Sequence, residues 1–199
     1  MTPLIFSSRF ITAQIVKTQP ILPTIFSYLP TISRSLSSST SHLESPLIQL
    51  DEQVTLALVK PDLAANPADL RAVKSLIVEQ RFRILRESRL RLSIDEAHIF
   101  YGEHRKKFFF NRLVTYMTSG EIEAFVLAKP DAIAAWRRLM GPTKVLKAIY
   151  ESPESVRARF GITDTRNATH GSDSVKNAQQ EILFFFPDFF GERDDAKNA

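Results

Sequence analysis

Hydrophobic positions along this chain change period several times, and the changes predict alternating strands and helices. The run Val54-Thr55-Leu56-Ala57-Leu58-Val59 is β-rich and reads as a buried strand that stops at the turn Lys60-Pro61-Asp62. Pro67 opens a helix that puts Leu70, Val73 and Ile77 on one face. Phe82, Ile84, Leu85, Leu90 and Leu92 mark a second, long strand. Ser93-Ile94-Asp95-Glu96 has the spacing of a capping box for a helix carrying Ala97, Phe100 and Tyr101. A helix over 108–117 closes at Ser119-Gly120, a third strand runs over 122–127, and a helix follows over 131–139. Residues 167–170 supply a short fourth strand, and Val175, Ala178, Ile182 and Phe185 space out a last helix.

The order β-α-β-α-α-β-α-β-α predicts an α+β fold, a ferredoxin-like β-α-β-β-α-β sandwich with extra helices, whose helices cover one face of a mainly antiparallel sheet. The folded domain is expected over residues 51–190, after a Ser-rich stretch that makes 44–50 a linker and before a polar, disordered tail over 191–199. Among 199 residues, 44% are apolar, enough for one packed domain with tails.

Charge separates the two ends of the chain. Residues 1–43 hold Arg9, Lys17 and Arg34 and no acid, so +3 of the net +4 lies there. An acid-free leader rich in Ser and Thr, with apolar residues around Arg9 and Lys17, reads as a mitochondrial transit peptide and predicts a matrix location. No run approaches the roughly 20 apolar residues of a membrane span. The remaining chain is almost neutral, which argues against a nucleic-acid partner; a related RNA-binding sheet would also need an aromatic string that the strands lack. The absence of cysteine excludes disulfides, thiolate chemistry and cysteine-ligated metals. His98, His104 and His170 contain no His-x-x-x-His pair, so a histidine-rich metal site is not expected.

The densest chemistry lies in Asn167-Ala168-Thr169-His170-Gly171-Ser172-Asp173-Ser174. It sets an imidazole beside a helix N-terminus, where unpaired N–H groups and the helix dipole favour an anion. A neutral imidazole there can attack phosphorus, and a carboxylate can fix its tautomer. Glu181 shares a helical stripe with Ser174, Ala178 and Phe185, so it faces inward and needs a polar partner.

This string resembles the active-site signature of the nucleoside diphosphate kinase family, and the resemblance extends over most of residues 51–190. Trp136 to Thr143, Arg157 to Gly161 and Asp164 to Asn167 look most like its divergent mitochondrial branch. The resemblance implies a phosphotransferase. His170 would take the γ-phosphate of a nucleoside triphosphate and pass it to a nucleoside diphosphate, with Mg²⁺ as cofactor. Lys60 would contact the sugar hydroxyl and the transferred phosphate, and Tyr101 would hydrogen-bond near the phosphorylated imidazole. Phe109 would stack on the base and Leu113 line the same slot. Arg137, Thr143 and Arg157 would clamp phosphates, a task that suits forked guanidinium groups. Asn167 would hold the ribose 3′-hydroxyl, Ser172 would meet the Glu181 carboxylate, and Asp173 would place Mg²⁺ through water, with phosphates as direct ligands. Arg138 and Arg159 read as surface charges. Base tolerance would follow from stacking without hydrogen bonds to the base edge.

Two departures stand out. Between Thr143 and Arg157 lie 13 residues, a few more than in the abundant hexameric members, and they are basic and apolar: Lys144, Val145, Leu146, Lys147, Ile149, Tyr150. That predicts a monomer or dimer in place of the hexamer, and a hetero-complex with a mitochondrial protein through this stretch. Asp164 stands where an apolar residue usually packs on the base. Both departures motivate a second reading, a nucleotide-binding scaffold of low activity acting with a partner protein.

Overall fold

Strand β1, Gln53–Val59, is buried on both faces from Thr55 onward, which explains why its sequence is a continuous apolar run. The computed structural model describes residues 52–191; the leader 1–43, the linker 44–50 and all but the first residue of the tail 191–199 lie outside the described residues. In place of a simple turn, β1 runs into a one-turn helix α1, Pro61–Ala64, because Pro61 sits where a missing N–H costs nothing and Leu63 and Ala64 are buried. Helix α2, Pro67–Glu79, is capped by Asn66 and buries Leu70, Val73 and Ile77, the face predicted for it. Strand β2, Arg83–Leu90, leads to helix α3, Ile94–Phe100, which has both bonds of the predicted capping box between Ser93 and Glu96.

A 3₁₀ turn, Gly102–His104, separates α3 from helix α4, Phe110–Met117, which starts two residues later than the pattern suggests. Strand β3, Ile122–Lys129, and helix α5, Ala132–Met140, follow as expected. The stretch after Thr143 is not open loop: it folds into helix α6, Val145–Glu151, and helix α7, Val156–Phe160. Strand β4 is Thr169–Gly171, shorter and later than predicted, because Ala168 takes φ +69° and breaks the extended backbone. Helix α8, Val175–Phe185, closes the domain with Ser174 as its cap.

The sheet order is β2-β3-β1-β4, with every pairing antiparallel. Helices cover both faces rather than one. Ala57, Val59, Phe125 and Leu127 pack on α2 and α5, while Leu56, Leu58, Ala124 and Val126 pack on α3, α4 and α8. The first layer belongs to the ferredoxin-like core; the second consists of the extra helices. Among the described residues no helix is long and apolar enough to cross a membrane.

Candidate active site

The register sets His170 on edge strand β4 opposite Leu58 of β1, so the C-terminal end of β1 delivers Lys60 next to the same strand. Lys60 N–H donates to the Ala168 carbonyl at 2.8 Å, extending the pairing by one step. Gly171 has to be glycine: a Cβ there would sit 2.3 Å from Trp136 Cδ1. The indole Nε1 donates to the His170 carbonyl at 3.1 Å, so α5 holds the histidine backbone from below.

A relay of hydrogen bonds fixes the ring. Leu56 N–H donates to Ser172 Oγ at 3.3 Å, Ser172 Oγ donates to Glu181 Oε2 at 2.5 Å, and Glu181 Oε1 meets His170 Nε2 at 3.0 Å. A carboxylate only accepts, so this network assigns the hydrogen to Nε2 and leaves the lone pair on Nδ1. Phe100 and Tyr101 pack edge-on against the imidazole, with centroids at 5.3 and 6.1 Å. Its position is therefore set on every side but the one facing the cleft.

That cleft measures about 690 Å³ and is lined by every predicted site residue except Ser172, which stands behind it. Lys60 is 5% exposed; its Nζ donates to Asn167 Oδ1 at 2.7 Å and to the Thr165 carbonyl at 3.3 Å. Burial, and then the nearby Arg157 charge, pull its pKa down to about 7. Asn167 donates both amide hydrogens to the carbonyls of Thr143 and Asp164, at 3.1 and 3.0 Å. One lone pair on its oxygen remains for a ligand. Asn167 thereby ties the end of β1 to both segments that close the cleft. A bidentate pair from Arg166 to Asp62, at 2.7 and 2.9 Å, anchors the same loop to α1.

Arg157 is buried; Nη1 donates to the Gly141 carbonyl at 2.7 Å and Nη2 to the Thr169 carbonyl at 3.3 Å, while Nε has no partner among the described residues. Burial first, and then Arg137, lower its pKa to about 10, so it stays charged at neutral pH. Arg137 and Thr143 are exposed on the cleft wall. The bend between them needs Gly141, whose φ is +78° and whose added Cβ would meet Ser155 Oγ at 2.3 Å. Tyr101 does not hydrogen-bond the imidazole. Its hydroxyl is buried without a partner among the described residues, and burial followed by the Glu181 charge pushes its pKa well above the usual range.

Phe109, the half-buried N-cap residue of α4, and Leu113, one turn into that helix, stand in the cleft wall. Asp173 Oδ1 accepts from Asn177 Nδ2 at 2.8 Å at the start of α8. Among the described residues no three His, Cys, Asp or Glu side chains gather to hold a metal. One carboxylate in a cleft that also holds Arg137 and Arg157 suits a hard ion such as Mg²⁺ that keeps water and takes ligand phosphates. Asp164 does more than face the cleft: its Oδ1 accepts from Val145 N–H at 3.2 Å and so caps α6.

Sequence reasoning missed Trp136, Thr165, Thr169 and Arg112, all at or in this site. Arg112 had a visible signal, lying one turn after Phe109 and next to Leu113. The others act through backbone contacts or short hydroxyls and carry no spacing signal.

Comparison with known proteins agrees with the geometry. A family model described as nucleoside diphosphate kinase matches residues 53–189. The chain is 51% identical over 154 residues to mouse (Mus musculus) nucleoside diphosphate kinase 6, covering 77% of this chain and 80% of that protein. It is likewise 51% identical over 141 residues to the human (Homo sapiens) protein of that name, covering 71% and 76%. Among solved structures, the Aquifex aeolicus nucleoside diphosphate kinase superposes with a TM-score of 0.66 at 38% identity, over 68% of this chain and 95% of that one.

Proposed function

The chain belongs to the nucleoside diphosphate kinase family, and from that premise we propose that it moves the γ-phosphate of a nucleoside triphosphate to a nucleoside diphosphate through phosphorylated His170. The observation that carries this reading is the bond from Nε2 to Glu181, which leaves Nδ1 as the nucleophile. Nδ1 attacks the γ-phosphorus in line, the bond to the β–γ bridging oxygen breaks, and the diphosphate leaves with that electron pair. A second diphosphate then attacks the phosphohistidine along the same path, and Nδ1 recovers its lone pair. Because one site serves both half-reactions, it runs in either direction.

Glu181 stabilises the positive ring formed during transfer, and Ser172 keeps the carboxylate aimed. Arg157, Arg137 and Lys60 supply donors to the equatorial oxygens of the transferred group. The Tyr101 hydroxyl and Arg157 Nε, buried without partners among the described residues, would reach oxygens of the ligand after a small side-chain shift. Mg²⁺, held by the phosphates and through water by Asp173, would neutralise phosphate charge. Incubation with γ-labelled ATP tests the proposal: acid-labile, base-stable label is expected on the parent protein and none on His170→Ala, with the fold unchanged. Transfer by His170→Ala at the parent rate would refute the mechanism.

A second reading, a nucleotide-binding scaffold of low turnover acting through a mitochondrial partner, is favoured by α6, which leaves Leu146 67% and Tyr150 81% exposed. Nucleotide binding without labelling would select it. The leader's composition supports delivery to the mitochondrial matrix. Lys144 and Lys147 beside that apolar face disfavour threefold self-packing, so residues 44–199 should run as a monomer or dimer; a hexamer mass by light scattering would refute this.

A further inference from the structure

The base end of the cleft contains a fixed hydrogen-bond donor that stacking alone does not require. Arg112 lies on α4 between Phe109 and Leu113, the two residues that form the apolar wall of the slot, and it lines the same cleft. Its Nε donates to Thr165 Oγ1 at 2.9 Å, and Thr165 is buried, so the guanidinium is tethered across the slot from α4 to the opposite loop. The two terminal nitrogens have no hydrogen bond or ion pair among the described residues. Arg112, Asp164 and Thr165 also line the neighbouring outer groove, which locates them at the rim and away from His170.

We propose that Arg112 reads the edge of the base and gives this site a preference for 6-oxopurines, guanine and hypoxanthine, over adenine. The inference rests on the nucleotide-transfer reading above and names the substrate class within it. A guanidinium has donors only, set in a rigid fork. Guanine and hypoxanthine present two adjacent acceptors, O6 and N7, which that fork matches. Adenine keeps N7 but puts an N6 amine, a second donor, where O6 would be. Donor would then face donor, and one terminal nitrogen would lose water without gaining a partner. The tether to Thr165 lowers the cost of ordering the side chain, so the contact adds to stacking on Phe109 rather than competing with it.

Calorimetric titration of the full chain with GDP, IDP and ADP, each with Mg²⁺, separates the contributions, since diphosphates bind without transfer. GDP and IDP should bind about tenfold tighter than ADP, near the lower end of what one bidentate guanidinium–purine contact discriminates. Arg112→Met, which keeps the apolar stem, should bring GDP and IDP to the ADP level and leave ADP unchanged. Equal affinity for all three diphosphates in the parent protein overturns the proposal. So does an unchanged preference in Arg112→Met. IDP that follows ADP also overturns it, because the preference would then belong to the 2-amino group, which a guanidinium cannot read. If none of the three binds, the nucleotide reading itself fails, and the outcome is distinct from loss of selectivity.

Discussion

Lys60 offers the sharpest test of how the cleft is charged. Its ammonium is buried beside Arg157, and its pKa falls from 10.5 to about 7. At about 1.4 kcal/mol per pH unit, the gap corresponds to about 5 kcal/mol carried by the folded protein whenever Lys60 is protonated. Below about pH 7 both the folded and the unfolded chain hold the proton, and that whole cost opposes folding. Above it the folded protein releases the proton while the unfolded chain keeps it, so stability rises with pH. Between pH 7 and 9 the gain should be about 2 to 3 kcal/mol, a window below the alkaline range where Arg157 begins to titrate. Urea unfolding across that window should show the rise in the parent protein and lose it in Lys60→Met. Phosphate oxygens beside Lys60 reverse the effect by favouring the charged amine. Nucleotide binding at pH 8 should then take up about one proton, visible as a dependence of the calorimetric heat on the ionisation heat of the buffer. Parallel stability curves for the two proteins, or proton uptake near zero at pH 8, would refute the reasoning.

Two further substitutions probe the support of His170. Glu181→Gln keeps the shape but loses the charge and the enforced tautomer, so labelling of His170 should slow by on the order of 100-fold with nucleotide affinity unchanged; a parent-like rate in rapid-quench measurements would remove Glu181 from the mechanism. Gly171→Ala drives a methyl to 2.3 Å from Trp136 Cδ1, which should destabilise the fold by about 1–3 kcal/mol and displace the His170 backbone; a loss below about 0.5 kcal/mol in urea unfolding would show that the sheet adapts more easily than its packing implies.

What the sequence revealed and what it hid follow from the range of the interactions. The apolar face of α2 and the capping box of α3 rest on residues three or four apart, so both are legible. Helix α6 is not, because its own N-cap, Lys144, offers no acceptor; the cap comes from Asp164, 19 residues after the Val145 N–H that it accepts from. Helix α5 was legible from its own sequence even though its Ile133 N–H is satisfied from afar, by Gln53 Oε1 of β1. The second helical layer was hidden for another reason. The continuous apolar run of β1 signals burial on both faces but not what covers the second, and only the packing of α3, α4 and α8 identifies that layer. At the site, the pairing of His170 with Glu181 could be read from helical spacing. The bond between Lys60 and Asn167 spans 107 positions and could be anticipated only through resemblance.

The cleft is also where three of the five buried side-chain polar atoms without partners among the described residues collect. Tyr101 Oη, Thr169 Oγ1 and Arg157 Nε are buried without partners among the described residues, and all three residues line it. A buried polar atom left unpaired costs about 1–3 kcal/mol, and Lys60 adds the larger cost of a charge removed from water. A sequence optimised for stability alone would place apolar side chains at these positions, as it does at Leu56 and Leu58 of β1 and Val126 and Leu127 of β3. A fold can carry such costs when the surrounding core is rigid. Here Trp136 and Phe125 are fully buried and the sheet is sandwiched between helical layers. On the reading proposed above, an incoming phosphate oxygen can satisfy such a donor once a small shift of the cleft wall uncovers it. Stabilisation deferred from folding to binding, and greatest where negative charge gathers in transfer, is the arrangement a phosphoryl-transfer site requires.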